Sequence, residues 1–102
     1  LAQLEPGRAE YRLARYLLDN GGRTEDRAVA WLILAAEKGY PQAQYELGSL
    51  YFRGVGVDLD YGKAEQWWLD ATEAGQADAG AALAMLKQRW VRAEYASISP
   101  AR

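Results

Sequence analysis

Residues 43–75 run AQYELGSLYFRGVGVDLDYGKAEQWWLDATEAG, two apolar stripes of helical period with a glycine-bearing turn between them. Leu47, Leu50 and Tyr51 fall on one stripe, and Ala64, Trp67, Trp68 and Ala71 fall on the other at i, i+3, i+4 and i+7. Gly54 and Gly56 punctuate the turn, and Gly75 stands where a helix ending in the left-handed conformation needs a residue without a side chain. Each stripe requires a partner helix, so the segment reads as an α-helical hairpin.

The pattern recurs along the chain. Ala9-Glu10-Tyr11-Arg12-Leu13-Ala14 aligns with Ala43-Gln44-Tyr45-Glu46-Leu47-Gly48 and with Ala79-Gly80-Ala81-Ala82-Leu83-Ala84, at spacings of 34 and 36 residues. The run Arg27 to Gly39, with Trp31, Leu32, Ala35 and Ala36, aligns with Lys63 to Gly75. Such periods mark stacked supersecondary units, none of which buries both its stripes alone. Helices are expected near 8–19, 24–38, 41–53, 60–74 and 77–95, with Pro41 in the first turn of one of them. The expected domain is a single all-α array over 1–102: units about 9–42 and 43–78, then a capping helix 79–95 whose Lys87, Gln88, Arg89, Arg92 and Glu94 supply a polar outer face. Ala14, Gly48 and Ala84 are expected where paired helices press closest, the tryptophans between successive hairpins, and the tail from Ala96, with Pro100, frayed.

With 102 residues, half of them apolar and a quarter charged, the chain has ordinary globular composition and needs no metal or disulfide staple to close a core. No apolar run approaches the roughly 20 residues of a membrane span, so a soluble domain is expected. A net charge of −2 supplies no basic field for nucleic acid. The absence of cysteine suits cytoplasm and periplasm alike, and leaves the compartment open. A chain starting at Leu1 without a leader reads as a piece of a longer protein.

The run Ala43-x-Tyr45-x-Leu47-Gly48-x-Leu50-Tyr51-x-x-Gly54-x-Gly56-Val57-x-x-Asp60-x-x-Lys63-Ala64-x-x-Trp67-Trp68-x-x-Ala71-x-x-x-Gly75 strongly resembles the Sel1-like repeat, a relative of the tetratricopeptide repeat. Residues 9–42 resemble it with a shorter turn, Asn20-Gly21-Gly22; residues 79–95 resemble only a first helix, and residues 1–7 the end of a preceding unit. The resemblance implies a right-handed α-solenoid of about five helices. It also implies an adaptor or scaffold that assembles protein complexes, often in bacterial signalling, secretion or envelope processes. Some cysteine-rich members are associated with β-lactams, but this chain lacks the cysteines of their repeats.

With neither histidine nor cysteine, the usual general base, thiolate nucleophile and commonest metal ligands are missing. Asp58 and Asp60 flank the turn without the remaining ligands of a calcium loop, and Asp60 reads better as a helix N-cap. Gly54-Val55-Gly56 lacks the strand and the Gly-Lys-Ser/Thr of a phosphate cradle and reads as a hairpin turn. Glu65, Asp70 and Glu73 read as a solvated face rather than a carboxylate pair across a cleft. Trp31, Trp67 and Trp68 read as packing rather than a sugar platform, and Trp90 as cover for the preceding helix or the end of the stack. No catalytic residue, cofactor or metal site is expected.

In tetratricopeptide-type solenoids the outer side of each first helix lines the concave surface, and by that resemblance the partner-binding candidates are Arg8, Tyr11, Arg15, Tyr45, Ser49, Phe52, Arg53 and Met85. Aromatic and apolar anchors among arginines are the mixture enriched at protein interfaces. Two readings stay open for these positions. Tyr11, Tyr45 and Phe52 either meet a partner or pack between first helices, and Arg8, Arg12 and Arg15 either bind a carboxylate-bearing peptide or form a solvated stripe. The expected function is a module that binds a peptide or helix of a partner protein; the alternatives are a structural spacer and, last, an enzyme or β-lactam-active protein.

Overall fold

The computed structural model describes residues 5–20 and 25–98, with side chains described at 5–20 and 26–89. Five helices follow in chain order: α1 (Arg8–Asp19), α2 (Glu25–Glu37), α3 (Pro41–Arg53), α4 (Tyr61–Glu73) and α5 (Ala77–Ile98), with no strand among the described residues. Each packs on its neighbours in sequence, and the stack measures 62 × 32 × 17 Å. This is a helical solenoid, as the repeat requires.

Local chemistry sets the boundaries. Gly39 and Gly75 take φ of 93° and 97°, and the residue after each donates its N–H back into the helix, Tyr40 to the Ala35 carbonyl and Gln76 to that of Ala71. Gly54 ends α3 at φ 67°, its N–H 2.7 Å from the Leu50 carbonyl. Asp60 caps α4, accepting the Lys63 N–H at 3.0 Å. The expected extents of α1 and α3 match the structure, while α5 continues past the expected end at 95 to Ile98; Gly21 and Gly22 of the first turn, residues 1–4 and 99–102, and the Trp90 side chain lie outside the described residues.

Two clusters form the core. The first joins Ala14 to Leu32, Ala35 and Ala36 of α2 and to Ala43 and Leu47 of α3, with Trp31 and Trp67 half-buried against it. The second joins Ala64, Trp68 and Ala71 of α4 to Ala79, Leu83 and Leu86 of α5. The tryptophans thus divide: Trp67 packs on the cluster of the preceding hairpin, and Trp68 fills the cluster shared with α5. Gly48 is a close-approach residue, because a Cβ there would stand 2.5 Å from Trp68 Cδ1. Ala14 is fully buried in the equivalent place, but Ala84 is exposed. Its expected role fails because among the described residues no second helix follows α5 to press against it.

Candidate functional site

Along α3, Tyr45, Ser49 and Arg53 follow one another at intervals of one helical turn and form an edge with a groove on either side. The ladder is held along its own backbone: the Ser49 hydroxyl donates to the Tyr45 carbonyl at 3.1 Å, and Arg53 Nε to the Ser49 carbonyl at 3.4 Å. The Trp68 indole N–H also donates to the Tyr45 carbonyl, at 3.0 Å, which ties the edge to the core of the hairpin.

The groove toward α1 encloses about 490 Å³ and is lined by Arg15, Leu18, Asp19, Leu32, Glu46, Leu50 and Val55 besides the edge residues. The groove toward α5 encloses about 340 Å³ and is lined by Phe52, Trp68, Ala82 and Met85 with the same edge. Met85 is 45% exposed at its rim.

Of the eight candidates from the sequence, Arg15, Tyr45, Ser49, Phe52, Arg53 and Met85 line these grooves. Arg8 is exposed at the start of α1 and lines neither. Tyr11 turns into the stack: its ring packs 5.1 Å from that of Tyr40, and its hydroxyl donates to Glu46 Oε2 at 2.6 Å. Phe52 is largely spoken for by its own chain, stacked 5.2 Å from Tyr61 and tilted 5.5 Å from Trp68, with the Arg89 guanidinium 5.3 Å from its ring centre. Arg15 is engaged as well, to Asp19 at 3.2 Å and Glu46 at 3.4 Å, whereas among the described residues Arg53 has no carboxylate within ion-pair distance.

Glu46, Gln42 and Gln76 stand outside the candidates that the sequence pattern supplies. Gln76 donates to Gln42 at 2.8 Å and Gln42 to Glu46 at 2.9 Å; with Tyr11 and Arg15 they form a polar chain from α1 across α3 to the start of α5. The separations of 35 for Tyr11–Glu46 and 34 for Gln42–Gln76, one repeat length each, are the signal that could have found it. Burial, then the hydrogen bond and charge of Glu46, raise the Tyr11 phenol above its ordinary value of 10.0. The hydrogen bond from Lys38 holds the Glu10 carboxyl below the usual range, clasping the end of α2 to α1. Among the described residues no group of three or more acidic side chains is placed to hold a metal ion, and Asp70 and Glu73 share the outer surface of α4 rather than facing across a cleft. No helix among them is long and apolar enough to cross a membrane.

The Sel1 repeat family matches at residues 7–40 and 41–76. Among curated proteins the chain is similar to chitin synthase regulatory factor 3 of Schizosaccharomyces pombe, 33% identical over 78 residues that make up 72% of this chain and 8% of that relative. The relative is a yeast protein, so this likeness lends nothing to the bacterial setting expected from the repeat. No solved structure matches. The repeat match points to a protein-interaction repeat module. By the match over both hairpins, the chain belongs to the Sel1 repeat family.

Proposed function

We propose that this chain is a protein-interaction module that receives a peptide or helix of a partner along the Tyr45–Ser49–Arg53 edge, without catalysing a reaction. The observation that carries the reading is the pair of grooves sharing that edge, with Arg53 free of carboxylates among the described residues and Met85 exposed. Apolar floor, aromatic wall and an available guanidinium are the elements from which interface anchors are built. The name of the yeast relative supports a regulatory setting, in which the module brings a regulated protein to its regulator.

A structural spacer is the second reading, favoured by the extent to which Tyr11, Phe52 and Arg15 are occupied by their own chain. A photo-crosslinking amino acid placed at Ser49, and separately at exposed Gln66 on α4, separates the two in the native cell. An adduct formed from Ser49, absent from Gln66 and lost on combining Arg53→Ala with Met85→Ala, supports the interaction module. No adduct from Ser49, or equal adducts from both positions, moves the assignment to the spacer.

A further inference from the structure

The register that aligns Ala43 with Ala79 and Leu47 with Leu83 also sets Arg89 of α5 in the place of Arg53 of α3, whereas on α1 that place belongs to Asp19. Both arginines are exposed, and among the described residues neither has a carboxylate within ion-pair distance. They stand beside one groove. The Arg89 guanidinium lies over the ring of Phe52, which precedes Arg53 in the chain and lines the groove toward α5. Among the described residues no acidic side chain lines that groove, while Asp19 and Glu46 line the larger one toward α1, where Arg15 pairs with both. The two grooves that share the edge therefore differ in charge: the larger is neutralised by its own residues, and the smaller keeps two unpaired cations beside an apolar floor.

We propose that the groove toward α5 takes a partner peptide in which an apolar side chain stands beside an acidic one, and that the larger groove does not select for the acid. The inference rests on the groove reading above and adds to it the chemistry of the partner. The apolar side chain enters between Phe52, Ala82 and Met85, where the thioether at the rim adapts to the shape of an aliphatic or aromatic group. The carboxylate meets the arginines. Arg53 uses Nε on the Ser49 carbonyl, which leaves its two terminal nitrogens for a bidentate carboxylate, and Arg89 is held over the Phe52 ring with its N–H edge open. The net charge of −2 does not oppose this, because charges elsewhere on the surface are screened over about 8 Å at physiological salt while the carboxylate touches the guanidinium. The chain carries one such sequence itself, Asp58-Leu59-Asp60 in the turn, with Leu59 57% exposed. A second copy is nevertheless the poorer occupant: Asp60 is engaged in capping α4, and a turn seated in a groove is a head-to-tail contact that builds rings or filaments rather than a closed pair.

The test selects a random heptapeptide library displayed on phage against the present chain, then measures the enriched peptides, synthesised with a fluorescent label, by anisotropy. Enriched sequences are expected to place an acidic residue within two positions of a large apolar one. Arg53→Gln with Arg89→Gln is expected to weaken their binding roughly 5- to 20-fold, and Arg53→Glu with Arg89→Glu to turn the selection toward basic peptides with the same apolar residue, each variant first matched to the parent by circular dichroism. Arg15→Gln, in the other groove, is expected to change binding less than 2-fold. Peptides that Met85→Gln weakens but that are indifferent to both arginines overturn this inference and leave the groove reading standing. If no enriched peptide depends on Met85, the groove reading falls and this inference with it. Self-association of the chain in sedimentation that Asp58→Asn with Leu59→Gln abolishes also overturns the proposal, since the occupant would then be a second copy.

Discussion

Gly48, Trp68 and Tyr45 form a three-residue lock at the centre of the second hairpin. The Trp68 ring lies flush on the Gly48 backbone because its indole N–H reaches the Tyr45 carbonyl, and a methyl at position 48 would meet Nε1 at 2.6 Å. Alanine is the better helix former by about 1 kcal/mol, yet here steric overlap wins. Gly48→Ala is expected to destabilise the chain by about 1–3 kcal/mol in urea unfolding and to displace Trp68 from the Tyr45 carbonyl. Tyr11 contributes through its hydrogen-bonded hydroxyl as well as its ring. Its raised phenol favours the neutral form in the folded state, so its contribution is whole below the unfolded value of 10.0 and is lost as pH rises beyond it. Tyr11→Phe, which also releases Glu46, is expected to lower stability by about 1.5 kcal/mol at neutral pH and to flatten the decline above about pH 10, both read from denaturant midpoints against pH.

At the scale of the element, the two second-hairpin helices start by different means. Pro41 opens α3 with a residue that has no N–H to satisfy, and Tyr40 before it makes no side-chain cap. For α4 the cap is Asp60, whose backbone N–H also donates to the Tyr51 carbonyl at 2.9 Å and so fixes how the chain re-enters after the turn. Asp60→Ala is expected to cost about 1 kcal/mol in thermal or urea unfolding, and Asp60→Asn to restore most of it, because the amide oxygen accepts the same bond. The turn itself packs backwards: a Cβ on Gly56, at φ 74°, would meet Val29 Cγ2 at 2.9 Å. The glycine therefore serves two ends, a left-handed backbone and close contact with the preceding hairpin.

Across the whole molecule, coupling passes from each helix to the next, as expected of a quasi-one-dimensional stack. The two clusters meet around Tyr51, which packs on both. Leu86→Ala, which empties a fully buried site between α4 and α5, is expected to cost about 2–5 kcal/mol where that interface is scored. Hydrogen exchange is the measurement that shows it: faster amides in α4 and α5, with α1 and α2 nearly unchanged. Uniform acceleration over all five helices would mean that the stack unfolds as one unit.

The helices, their order and their stacking were determined by the sequence alone, because each depends on local information: an apolar period of 3.6, glycine after the last turn, proline or aspartate at the first, and a repeat of 34 to 36 residues that leaves no hairpin self-sufficient. The edge Tyr45, Ser49 and Arg53 was legible for the same reason, being three positions on one helix face. The tertiary structure alone decided which candidates are occupied at home. Tyr11 and Phe52 have the right period and chemistry for a groove, but the ring of Tyr40 in the α2–α3 connection meets the first and rings of α4 meet the second, and Arg15 finds Glu46 one repeat away. Likewise Leu13 and Leu47 are the same residue in the same register, one exposed and one buried, because among the described residues only the second has a helix in front of it. Periodicity tells a side chain which way to point along its own helix; what stands opposite is set by the packing of helices tens of residues apart.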